Sequence, residues 1–82
     1  MPNRWTIWIH PHVVSVIYQT PRTVVSVMWA VVNELEKDPY HPDSQPVPGE
    51  SDVFSITVDG YRLVYQVVQH ERVLRIIQLH IP

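Results

Sequence analysis

The chain contains no cysteine, which excludes a disulfide framework and any thiolate metal site. Two glycines among 82 residues are too few for a phosphate-cradling glycine-rich loop. A Walker-type loop, a Gly-x-Ser-x-Gly elbow and a His-Glu-x-x-His zinc motif are all missing. No cofactor is expected. No apolar run approaches the roughly 18 residues that cross a bilayer, because His10, His12, Arg22 and several prolines interrupt every candidate. The opening Met1-Pro2-Asn3-Arg4-Trp5 lacks a continuous apolar signal core, so a cytoplasmic location without a membrane partner is expected.

What is present suits one globule. Hydrophobic residues make up 45% and charged residues 17%, which argues against general disorder. At 82 residues the chain has no room for two cores, so residues 1–82 read as a single domain. The net charge of -2 is strongly segregated. Residues 1–33 carry Arg4 and Arg22 without an acid, for +2. Residues 34–59 carry Glu34, Glu36, Asp38, Asp43, Glu50, Asp52 and Asp59 against Lys37, for -6. Residues 60–82 carry Arg62, Arg72 and Arg75 against Glu71, for +2. Any cationic face is therefore small and confined to the C-terminal third.

Trp5-Thr6-Ile7-Trp8-Ile9 is aromatic and β-branched and stops at His10-Pro11, which predicts a first strand over about residues 4–9. Pro11 suits the first turn of a helix, and Val13, Val14, Val16, Ile17 and Tyr18 continue it until Thr20-Pro21. Thr20 as N-cap and Pro21 at the first helical position predict a second helix over about 21–37, stopped by Asp38-Pro39. Val24, Met28, Val31 and Leu35 form one stripe; Val25, Trp29 and Val32 form a second beside it. This arc is wider than a small sheet needs, so either a partner or the following proline-rich loop should cover it.

Residues 38–52, DPYHPDSQPVPGESD, hold one aliphatic residue and read as a long stiff connection. In Val53–Val58 the residues Phe54, Ile56 and Val58 alternate with Ser55 and Thr57. Asp59-Gly60 is a strong hairpin signal. Tyr61–Val68 places Leu63, Tyr65 and Val67 on one side and Arg62, Val64, Gln66 and Val68 on the other. After a turn at Gln69-His70-Glu71, a last strand over 72–81 should carry Arg75 on one face and Gln78 and His80 on the opposite one. The predicted class is α+β, order β-α-α-β-β-β, with two helices packed on one face of a small, mostly antiparallel four-stranded sheet.

Arg62, a mid-strand cation among aliphatics, either projects from the uncovered face to clamp a phosphate or carboxylate, or pairs with Asp59 or Glu71. His80 is either a proton-transfer group, on the same face as Arg62 if the register allows, or a half-buried strand histidine. His10, His12 and His41 lack the further ligands that a metal site needs at regular spacing.

Leu35-Glu36-Lys37-Asp38-Pro39, then Asp59-Gly60-Tyr61-Arg62-Leu63-Val64-Tyr65, then a last strand ending in His80: over nearly its whole length this arrangement resembles the RelE/ParE toxin superfamily. The resemblance implies the toxin of a type II toxin–antitoxin system. A RelE-like member would be a ribosome-dependent mRNA endonuclease, active or attenuated, with Arg62 on the scissile phosphate and His80 moving a proton. Arg72, Arg75 and Tyr65 would contact substrate. A ParE-like member would instead inhibit DNA gyrase, and a non-catalytic interaction module is the remaining reading. A cognate antitoxin would cover the apolar arc, with a second copy of the chain, docked through the second helix, as the other occupant. Pro46-Val47-Pro48-Gly49 stands where the family usually has Pro-Leu-basic-Gly, so Pro48 replaces a basic residue.

Overall fold

The computed structural model describes residues 4–81; Met1, Pro2 and Asn3, on which the expectation about a signal core partly rests, and Pro82 lie outside them. Strand β1 (Thr6–Ile9) leads into helices α1 (Pro11–Tyr18) and α2 (Arg22–Lys37). A two-residue β2 (Gln45–Pro46), β3 (Val53–Val58), β4 (Tyr61–Val68), a 3-10 turn at Gln69–Glu71 and β5 (Val73–His80) follow. The sheet order is β1-β5-β4-β3-β2, with β1 parallel to β5 and every other pair antiparallel. The α+β class and element order hold, but the sheet has five strands instead of four. The extra strand is the proline-rich loop brushing β3, Gln45 opposite Ser55 and Pro46 opposite Phe54. A pair so short, holding a residue without an N–H, blunts the sheet edge.

Local chemistry explains the helix limits. The His10 imidazole Nδ1 accepts the His12 N–H at 3.0 Å, capping α1 ahead of Pro11. Thr20 does not cap α2 as the sequence suggests. Its hydroxyl donates backward to the Val16 carbonyl at 2.8 Å, closing α1, and α2 begins at Arg22 after Pro21. At the other end of α2 the Asp38 N–H still reaches the Glu34 carbonyl before Asp38 turns extended ahead of Pro39.

Both helices seal one sheet face. Met28, Val32 and Leu35 of α2 and Val13 of α1 meet Ile56, Val58, Leu63, Tyr65, Val67, Leu74, Ile76 and Leu79 of the strands. The β3–β4 hairpin turns on Asp59 (φ 50°) and Gly60 (φ 84°), the paired positive φ that a two-residue turn of matching twist requires. The last strand starts one residue late, because Arg72 (φ 54°) adopts a left-handed conformation that ends the 3-10 turn.

Tyr65 locks the connection to the sheet. It is 0% exposed, its ring stacks on Phe54 at 5.9 Å, and its hydroxyl donates to the Pro39 carbonyl at 2.8 Å. Tyr40 adds an edge contact to Phe54 at 5.6 Å, and His41 bonds Glu34 of α2. The loop is thereby held against the β3 edge and the end of α2, and does not fold over the rest of that helix. Val27 and Trp29 are each 41% exposed. Tyr65 is accordingly a core residue, not a substrate contact.

Burial pushes the Tyr65 phenol above its ordinary 10.0, the Ser44 hydroxyl opposes the rise and the Asp38 carboxylate adds to it. A folded-state value above the unfolded one means that this contribution is complete below pH 10 and lost as pH rises beyond it. Tyr65→Phe should cost about 1–2 kcal/mol near neutrality, by stranding a buried acceptor. Urea melts of the variant should also show a shallower decline above pH 10 than wild type. Parallel declines would show that Tyr65 ionisation is not coupled to folding.

Candidate functional site

The sheet face turned away from the helices carries the alternate residues of each strand. On β4 these are Arg62, Val64, Gln66 and Val68, as the alternation predicts. Arg62 stands directly opposite His80 on β5 and Thr57 on β3, and both Arg62 and His80 are exposed. Directly opposed strand residues have Cβ atoms about 5 Å apart, so the two side chains can engage one small group together. Among the described residues none forms a hydrogen bond or ion pair with the Arg62 guanidinium; pairing with Asp59 or Glu71 is not realised.

The shared face of Arg62, Arg75 and His80 depends on an irregularity. Strict alternation along β5 puts Arg75 and His80 on opposite faces. The ladder instead pairs Val64 with Gln78 and Tyr65 with Ile76, leaving Ile77 without a partner. This bulge reverses the parity, so Leu74, Ile76 and Leu79 all reach the core while Arg75, Gln78 and His80 all face out. The expected opposition of Arg75 to His80 is thus corrected.

The remaining candidates lie further along. Arg75 lies opposite Gln66 and His80 opposite Arg62, four steps of β4 apart, about 13 Å at a strand rise of about 3.3 Å. The Arg75 guanidinium sits 4.9 Å from the Trp8 ring centroid, and Trp8 is its direct neighbour on β1. The edge of the His10 ring meets Trp8 at 5.8 Å. Arg72 precedes β5, whose first residue Val73 lies opposite Val68, about 20 Å along the sheet from His80. Its guanidinium lies 4.9 Å from the centroid of the buried Trp5 ring. Arg62 and His80 form one pair, Arg75 and Trp8 another, and Arg72 serves packing. The Trp8–Arg75 pair was not singled out from sequence. The signal was there: Trp8 is out of phase with Ile7 and Ile9, which face the core.

No acid occurs in any of the five strands. All eight lie at the end of α2, in the loop or in the turns. The negative net charge is therefore kept off the sheet, which presents Arg62 and Arg75 among neutral side chains such as Gln66, Gln78, Ser55 and Thr57. A planar guanidinium with an imidazole opposite can clamp a phosphate through paired N–H donors and exchange a proton with it. Among the described residues no cluster of three or more His, Asp or Glu could hold a metal ion, and no helix is long and apolar enough to cross a membrane. On the helical side, a narrow crevice of about 20 Å³ between Ile9, Ile17, Val25, Trp29 and Leu63 is wholly apolar and offers no chemistry.

No family model and no curated protein matches the sequence. Solved structures do match. The Escherichia coli RelBE toxin–antitoxin complex aligns with TM-score 0.86 at 21% identity, over 95% of this chain and 96% of that one. The isolated E. coli RelE toxin aligns with TM-score 0.83 at 22% identity, over 92% of this chain and 81% of that one. An archaeal RelE–RelB complex from Pyrococcus horikoshii aligns with TM-score 0.81 at 21% identity, over 93% of this chain and 92% of that one. Two helices behind a mixed sheet whose first and last strands run parallel, with an arginine–histidine pair on the open side: the chain has the fold of RelE toxins.

Proposed function

We propose that this chain is the toxin of a type II toxin–antitoxin pair and acts as a RelE-like, ribosome-dependent mRNA endonuclease. The observation that carries the reading is the Arg62–His80 pair, directly opposed across β4 and β5 on an exposed, acid-free face. Cleavage of RNA without a metal proceeds by attack of a 2′-hydroxyl on the adjacent phosphorus, with expulsion of the 5′-oxygen. Negative charge grows on the non-bridging oxygens, where the Arg62 guanidinium stabilises it. One proton leaves the 2′-hydroxyl and another reaches the 5′-oxygen; His80 carries one of these transfers. A single imidazole leaves the other to water or to the ribosome, which suits an enzyme active only on that platform.

The antitoxin belongs on the helical side. The E. coli and P. horikoshii structures of the same fold are RelE–RelB complexes. Here the half-exposed Trp29 and Val27 of α2, next to the apolar crevice, form a surface that water disfavours. Covering it leaves Arg62 and His80 untouched, because they lie on the opposite face.

Induced expression tests the reading. Wild type should arrest growth and cut ribosome-bound mRNA. Arg62→Ala should lower cleavage by about 10²–10³-fold, and His80→Ala by about 10²–10⁴-fold. Equal arrest by all three proteins with intact mRNA would contradict the proposal, and arrest with blocked DNA supercoiling would replace it with gyrase inhibition.

A further inference from the structure

The open sheet face has a concavity away from Arg62 and His80. It lies at the other end, a groove of about 490 Å³ lined by Thr6 and Trp8 of β1, Val68 of β4, Val73 and Arg75 of β5, and Glu71 of the 3-10 turn. We infer that this groove is a second RNA subsite, which takes one unpaired nucleobase of the strand held at Arg62 and His80. The inference rests on the RNA reading above and adds to it the part of the substrate that gives base preference.

Three features favour a base over a phosphate. The walls offer two π-faces, the 40%-exposed Trp8 indole and the Arg75 guanidinium stacked 4.9 Å from it; unpaired bases are held by stacking on such groups. The floor is aliphatic, with Val68 and Val73 both half-buried, which suits a flat apolar ring and not a hydrated anion. The rim carries the Glu71 carboxylate, 3.5 Å from the His70 ring, which repels phosphate oxygens but accepts N–H from an exocyclic amino group. Adenine, cytosine and guanine have such a group; uracil does not.

Position selects the same RNA strand as the occupant. The groove and the Arg62–His80 pair share one face of β4 and β5, and no strand between them carries an acid. Their separation of about 13 Å corresponds to at most about four nucleotides, since a stacked strand rises about 3.4 Å per nucleotide and an extended one more. The 2′-hydroxyl chemistry would occur at one end of the face and base reading at the other.

The test uses the full chain and a fluorescein-labelled single-stranded RNA of about a dozen nucleotides, made uncleavable by 2′-deoxy substitution. Abasic sites are walked one position at a time. In wild type, an abasic site at one position within about four nucleotides of the cleavage point should weaken binding about tenfold, and uracil there should weaken it in part. Trp8→Leu should lose the same factor with intact RNA and show no further loss with the abasic strand. Arg75→Lys, which keeps the charge without the plane, should reproduce the loss with an unchanged salt slope. Arg62→Ala should lower cleavage of ribosome-bound all-ribose mRNA by about 10²–10³-fold yet retain the abasic dependence of binding.

The two proposals fail separately. Cleavage that survives Arg62→Ala, with the abasic dependence intact, sinks the catalytic reading alone. RNA affinity indifferent to Trp8→Leu and to every abasic site overturns the subsite, as does a Trp8→Leu protein that loses only its antitoxin. Single-stranded RNA that fails to bind wild type overturns the subsite, and ribosome-bound mRNA left intact by wild type overturns the catalytic reading.

Discussion

Ile77 has no partner in β4, and the outward placement of Gln78 and His80 beside Arg75 follows from that. Leu74 and Ile76 pack under the helices by ordinary alternation; Leu79 does so only because one residue has been skipped. Without the skip, Leu79 would face water and His80 would be driven into the apolar core, where an imidazole without a partner is costly. The core therefore enforces the bulge, and the bulge delivers His80 to Arg62. Packing on one side of the sheet sets the chemistry on the other.

Charge placement is the second constraint. A chain of net charge -2 looks ill-suited to an anionic ligand until its acids are located. Screening lengths near 8 Å in physiological salt make local charge matter more than the total. The acids of α2 and the loop lie at its end and along the β3 edge, with His41 tied to Glu34 and Arg4 to Glu36. Tyr65 anchors that acidic connection by its bond to Pro39, so the same residue that fills the core also holds the loop at the sheet edge.

Much of this was legible in the residues. Asp59-Gly60 announced the hairpin, and the phases of Phe54-Ile56-Val58 and Leu63-Tyr65-Val67 correctly separated the two faces of β3 and β4. The stripes of α2 named Met28, Val32 and Leu35. What escaped was set by pairing between distant segments. Gln45–Pro46 is a strand only because β3 lies beside it. The register skip at Ile77 depends on where β4 and β5 meet, and no local pattern in an aliphatic run reveals it. Thr20 and Tyr65 were misassigned because each carries a hydroxyl whose partner, the Val16 or the Pro39 carbonyl, is identified only by the folded path. Arg72 and Arg75 read alike in sequence, yet Arg72 stacks on Trp5 and Arg75 on Trp8.

The fold thus has two distinct surfaces, an apolar one behind α2 and a polar one across β4 and β5, which the proposed function assigns to a protein partner and to RNA. Backbone amide NMR of the full chain, titrated with uncleavable single-stranded RNA, tests that division most directly. Shifts confined to Arg62, Gln78, His80, Arg75 and the Trp8 indole, with α2 silent, are the predicted result. Shifts centred on Trp29 and the α2 surface, with β5 unmoved, would contradict it.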